Sequence, residues 1–266
     1  TLMVSIPAKW AKQHSLDKGS EVEVEENNNI LRISSKDISN KEITIALTEE
    51  NKKDIKNLLT HSYRKGFEKI KFKNSTKETA RQIHQIVDKM LLGFEITHRS
   101  ENECIVENIS EPSNKKYPDL LKRIFFLIKE THKSVFEDIK KGAYENEMEV
   151  QGMRDQSDKL ILFCRRVLFK ESEENMLLNW ELLTFLMHIH HRYYYLYKYA
   201  KAKKFKAENE IINLSGHLEK YFNLLEDAII NNNIASVHKI NTLKEEYQFG
   251  KIPQMLEKSS GKKNVM

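Results

Sequence analysis

The sequence predicts an α+β protein in which small strand-containing units come first and a helical bundle closes the chain. Three observations carry that reading. Up to about residue 110, apolar residues alternate in short runs, the two-residue period of half-buried strands, with helical stretches between them. From about residue 117, apolar residues recur every three or four positions over runs of twenty or more residues, the period of long helices. Only 4 prolines and 8 glycines occur in 266 residues, too few breaks for a sandwich of many short strands.

The first stretch, TLMVSIPAKWAKQHSLDKGSEVEVEENNNILRI, is compact and well punctuated. Leu2, Val4 and Ile6 alternate as a strand. Pro7 suits the entry to a helix, where its missing N–H costs nothing. Ala8 to His14 then make about two turns, with Trp10 and Ala11 available to pack. Asp17-Lys18-Gly19-Ser20 is a turn cluster. Val22 and Val24 alternate with Glu21, Glu23 and Glu25, and Asn27-Asn28-Asn29 turns the chain back into Ile30-Leu31-Arg32-Ile33.

The string SIPAKWAKQHSLDKGSEVEV resembles the swapped-hairpin DNA-binding domain of the SpoVT/AbrB family. Ser5-Ile6-Pro7 and Gly19 carry most of the likeness. The resemblance implies a domain over residues 1–36 that dimerises by interleaving hairpins and binds DNA on a basic face. Lys9 and Lys12, three apart on the short helix, are the candidate phosphate contacts. Such contacts position a protein on DNA without reading sequence. The family carries a further strand before the position of Thr1, so the chain is expected to lack part of this module. Its apolar residues Leu2, Val4 and Ile6 are then expected to be poorly covered.

Residues 41–110 read as a second small unit in the order β-α-β-α-β-β. Ile43 to Leu47 form a strand. Thr48, with Glu49 and Glu50 behind it, suits a helix start, and that helix ends near Gly66. Lys69-Ile70-Lys71-Phe72-Lys73 alternates as a strand with its lysines outward. Ser75 or Thr76 can cap the next helix, with Glu78 completing a box-like start. Ile83, Ile86, Val87, Met90 and Leu91 make its apolar stripe, and Gly93 stops it. Phe94 to Thr97 and Cys104 to Val106 pair as a hairpin. No glycine-rich phosphate loop, nucleophile–base pair or paired carboxylates stand out, so the chain is read as a non-enzyme.

Glu111-Pro112-Ser113-Asn114 is the clearest linker, and residues 117–250 follow as a bundle. Helices are expected over Asp119–Lys141, with Leu121, Ile124, Ile128, Thr131, Val135 and Ile139 inward, and over Glu147–Lys170, with Met153, Ser157, Leu160, Cys164 and Val167 inward. Others are expected over Met176–Lys204, Glu208–Asn231 and Ile234–Tyr247. Residues 251–266 read as a disordered polar tail. The string Leu91-Leu92-Gly93-Phe94-Glu95-Ile96 is similar to a segment of archaeal PhoU-like regulators, which join an AbrB-like start, a middle unit of this kind and a helical domain. That resemblance implies a PhoU-like bundle and a link to phosphate uptake, with a phosphate transporter as a partner.

Within the bundle, Asp155 and Asp158 lie three apart on one helix face. They resemble the acidic segment that helps PhoU repeats bind metal, and iron, zinc or manganese would suit such oxygen ligands. The family spacing wants an acid where Arg154 stands, and solvated surface acids are the simpler reading. No cofactor is required. His188, His190 and His191 look like a ligand cluster, but only His188 and His191 share a face. Tyr193 to Tyr199, beside Lys198 and Lys201, could stack bases, whereas core or rim packing for Tyr194 and Tyr197 is the simpler alternative.

The net charge of +5, from 44 basic and 39 acidic residues, permits nucleic-acid binding without arguing for it. Two distant cysteines, Cys104 and Cys164, make no disulfide framework or zinc-finger spacing and suit a reducing, cytoplasmic setting. No run is long and apolar enough to insert in a membrane. The expectation is a DNA-binding regulator of phosphate uptake acting as a homodimer. The rival is an interaction protein that controls a transporter or kinase through its helical half without touching DNA.

Overall fold

A computed structural model describes residues 3–27, 30–35, 41–110, 116–171 and 175–260. The chain divides into two compact units, Thr1–Glu111 and Pro112–Met266. The class is α+β. The linker at 111–114, the Asn28-Asn29 turn and the last six residues lie outside the described residues.

In the first unit, α1 (Ala8–Gln13) precedes an antiparallel hairpin of β1 (Val22–Asn27) and β2 (Ile30–Ser35). The strand expected over Leu2–Ile6 is not found among the described residues. Leu2 lies outside the described residues, and Met3 to Pro7 have no ladder. A strand needs a neighbour to take its N–H and C=O groups, and among the described residues the sheet of this module holds β1 and β2 alone.

The β-α-β-α-β-β order is present as β3 (Glu42–Ala46), α2 (Ile55–Arg64), β4 (Lys69–Lys73), α3 (Lys77–Met90), β5 (Phe94–Arg99) and β6 (Glu103–Asn108). The sheet order is β3-β4-β6-β5, with β3 and β4 parallel and the other pairs antiparallel. Ile70 and Phe72 point into the core with no exposed surface, while the lysines of β4 face out, Lys69 pairing with Glu107 and Lys71 with Glu42. Ile83, Val87 and Leu91 bury the inner face of α3. Gly66 and Gly93 end α2 and the α3 turn at φ of 78° and 82°, a left-handed backbone that glycine adopts without strain.

Two helix starts differ from expectation. Thr48 and Asn51 exchange side-chain hydrogen bonds with each other's backbone N–H, but this closes a turn. The chain then makes a 3-10 turn over Lys52–Asp54, and the α-helix begins only at Ile55. At α3, Thr76 is the cap, but its reciprocal partner is Thr79 rather than Glu78. Thr79 occupies the third helical position, from which a side chain reaches back to the cap N–H.

The second unit contains α4 (Tyr117–Lys141), α5 (Glu147–Glu171), α6 (Met176–Ala202), α7 (Asn209–Ile230), α8 (Ile234–Glu246) and α9 (Ile252–Ser260). Helices α4, α5 and α6 pack on one another, α7 packs on α4, and α8 packs on α7. All six residues expected inward on α4 are buried. Gly142 closes α4 at φ 73°.

Contrary to expectation, residues 252–260 are helical. A five-residue π turn, Tyr247–Lys251, joins α8 to α9. The costly nucleation of a new helix is thereby avoided. Ile252, Pro253 and Met255 are half-buried, and the Tyr247 hydroxyl meets His217 Nε2 of α7 at 2.6 Å.

Candidate nucleic-acid interface and the polar layer of the bundle

Pro7, with φ −58° and ψ 128°, sets up α1, and the Ala11 N–H donates to its carbonyl at 3.0 Å. Trp10 and His14 stack on one side of the helix with ring centroids 4.8 Å apart, and both are half-buried. Lys9 and Lys12 are exposed. Lys12 lies in the last turn, where a cation suits the negative end of the helix dipole. The following turn is held by Asp17 and Ser20. The Asp17 N–H donates to Ser20 Oγ at 2.9 Å, the Ser20 N–H returns to the Asp17 carbonyl at 3.0 Å, and Gly19 between them has φ 96°.

The hairpin register pairs Val24 with Ile33 and Glu26 with Leu31. Directly paired residues share a face, so Val22, Val24, Leu31 and Ile33 share one mainly apolar side with Glu26. Val22 and Ile33 are half-buried, and part of that side is open among the described residues. Val24 and Leu31 keep 55% and 52% of their surface exposed. Val4 and Ile6 are likewise exposed. A lone two-stranded hairpin is at best marginal in water, so this face asks for a second layer.

In the bundle, two apolar clusters are separated by a polar layer. The first joins Ile128, Ile161 and Leu186 from the three core helices, and the second joins Val135, Val150 and Tyr194. Between them in sequence, on the same three helices, stand Thr131, Ser157 and His190, each with no exposed surface. Thr131 Oγ donates to the Leu127 carbonyl at 2.8 Å and lies 2.7 Å from His190 Nε2. In the arrangement where the hydroxyl proton goes to Leu127, His190 donates from Nε2. Its Nδ1 is then an acceptor that finds no partner among the described residues. Burial pulls the His190 pKa down to about 4, against the pull of Asp158. His132, beside the rings of Phe136 and Tyr193, is lowered by burial too, with Glu219 opposing. Burial first, then Glu219, pushes Tyr193 up to about 12.

The three histidines of α6 therefore part ways. His188 is exposed, His190 is sunk, and His191 meets Asp158 of α5, with Nε2 2.8 and 3.0 Å from the two carboxylate oxygens. Asp155 accepts from Arg154 at 2.8 Å, and the Arg154 Nε lies 3.9 Å from Asp158. The Arg154 guanidinium also sits over the Tyr194 ring at 4.4 Å. The expected metal candidates thus share their lone pairs with Arg154 and His191 of this chain. Among the described residues no three His, Cys, Asp or Glu side chains come together to hold a metal. Tyr194 and Tyr197 are buried in the core, and only Tyr195 and Tyr199 offer exposed rings.

The sequence did not expose the Asp158–His191 pair, since the partners lie 33 residues apart. Nor did it expose buried Asp138, which accepts from the Tyr197 hydroxyl at 2.8 Å and from Asn146 Nδ2 at 2.9 Å. An acid on the inward stripe of α4, three residues after Val135, was the available signal. No helix among the described residues is long and apolar enough to cross a membrane.

Residues 1–39 match the family described as Antidote-toxin recognition MazE, bacterial antitoxin. No curated protein and no solved structure matches the chain. The matched stretch takes in α1, the Gly19 turn and the hairpin, and it supports a MazE/AbrB-like identity for this N-terminal module.

Proposed function

We propose that the chain is a DNA-binding transcriptional regulator that acts as a dimer, with no catalytic step of its own. The observation that carries this reading is the MazE/AbrB-like match over a module that exposes both a basic helix and an apolar hairpin face. A second copy would cover the hairpin face and double the Lys9 and Lys12 pair, giving four cations for phosphate contact. The helical half would then couple DNA binding to a signal. The order of modules and the Leu91–Ile96 string favour phosphate status as that signal and a phosphate transporter as a partner.

The test is a titration of the full-length protein on a mixed-sequence DNA duplex at several salt concentrations. Binding that weakens steeply with salt is expected, because released counterions drive it. Negligible affinity at low salt overturns the regulator reading. Transcription of the controlled genes should also change between phosphate-replete and phosphate-starved cells, and indifference to phosphate removes the finer assignment. The description of the matched family favours a second reading, in which the module belongs to a protein that recognises a protein partner. Stable capture of a transporter or kinase by a chain that ignores DNA would favour it.

A further inference from the structure

Helix α6 packs on α4 and α5 along one side. Its outward face carries Leu177 and Leu178, 77% and 66% exposed, Phe185 at 58%, and then Tyr195 and Leu196. Glu181, His188 and Arg192 complete the same face and are exposed. Positions 178, 181, 185, 188, 192 and 195 step by three and four, the spacing of a seam between paired helices. The acid stands in the first half of the seam and the arginine in the second. Neither Glu181 nor Arg192 has an ion pair among the described residues.

We propose that this face binds a second copy of the chain, with α6 packing antiparallel on α6 about a two-fold axis between residues 186 and 187. In that register Leu177 faces Leu196 of the second copy, Leu178 faces Tyr195, Phe185 faces His188, and Glu181 faces Arg192. Each apolar residue meets an apolar or aromatic-ring partner, and the one acid meets the one arginine. The symmetry repeats every contact twice, as a closed two-fold interface requires. A parallel pairing would set Glu181 against Glu181 and Arg192 against Arg192, which like charges disfavour. The surface is distinct from the hairpin face and does not rest on the DNA-binding reading.

Disulfide trapping in the full chain tests the register. Leu178 and Tyr195 lie 17 positions apart on one straight helix, about 26 Å, so they cannot bridge within one copy. Cys104 and Cys164 are buried and stay out of the reaction. The double variant Leu178→Cys/Tyr195→Cys should form a covalent dimer on mild oxidation, whereas each single variant should remain monomeric on a non-reducing gel. In the double-variant background, Glu181→Arg should cut the yield at least about fivefold, and adding Arg192→Glu should restore it. No covalent dimer, equal trapping in the single variants, or no recovery on the charge swap overturns the proposal. DNA affinity measured on the same variants keeps the two readings apart. Trapping without DNA binding breaks only the regulator reading, and DNA binding without trapping breaks only this one.

Discussion

The N-terminal module and the helical bundle solve the burial problem in opposite ways. The bundle closes on itself, since Phe125, Phe163, Ile128 and Val167 have no exposed surface, and even its polar layer is sealed. The module stops short. Its hairpin has one apolar face, and Val24 and Leu31 on that face remain more than half exposed. The bundle thus buries its core within one chain and keeps its exposed apolar residues on outer helix faces, while the hairpin module leaves part of its one apolar face open. The contrast places most of the buried apolar packing in the helical half.

The largest effect should come from the bundle core. Phe125 packs on Phe222 with centroids 5.3 Å apart, and Phe125→Ala should cost about 3–5 kcal/mol, read from urea unfolding of the full chain by far-ultraviolet circular dichroism. Val24→Lys on the hairpin should cost the isolated chain under about 0.5 kcal/mol while weakening self-association through the module. Equal losses from the two variants at low protein concentration would break the comparison.

Next comes the polar layer. The His190 pKa falls from 6.5 in the unfolded chain to about 4 when folded. The unfolded chain therefore takes up the proton first, so stability is full above pH 6.5 and drains as pH drops toward 4. The gap corresponds to roughly 3 kcal/mol. Urea midpoints across this window should fall with acid in the native chain and fall less in His190→Gln. A parallel fall in both would remove His190 as the source.

A smaller loss, about 1 kcal/mol, is expected for Thr76→Ala, which removes the α3 capping box. The replacement of Lys9 and Lys12 by alanine should leave stability nearly unchanged, because both are exposed. It should reduce the slope of log affinity against log salt by up to about 3.6 if four phosphate contacts are lost from a dimer. An unchanged slope would detach α1 from DNA.

The sequence was legible where one element's own periodicity decides the outcome. The inward stripe of α4, the outward lysines of β4 and the glycine stops at 66, 93 and 142 could all be read locally. What was not legible depends on a neighbour. The strand expected at Val4 and Ile6 needs a pairing partner. Helix α9 needs α8 to start it. His191 needed Asp158, and His190 needed Thr131, each from another helix. The aromatic run of α6 shows the limit clearly, since Tyr194 and Tyr195 are adjacent and yet one is core and the other surface. Of the candidate residues, Lys9 and Lys12 are exposed, and Asp155 and Asp158 contact Arg154 and His191.

The π turn at Tyr247–Lys251 bears on how this chain tolerates changes in length. It carries one residue more than an α-helical turn would. Deletion of Gly250 lets the helix run on from α8 as a continuous α-helix, and four α-helical residues turn through nearly the same angle as the five of the π turn. Ile252 and Met255 therefore keep the side on which they are half-buried. The joint acts as a one-residue reserve of length, which the helix can give up without changing the face it presents.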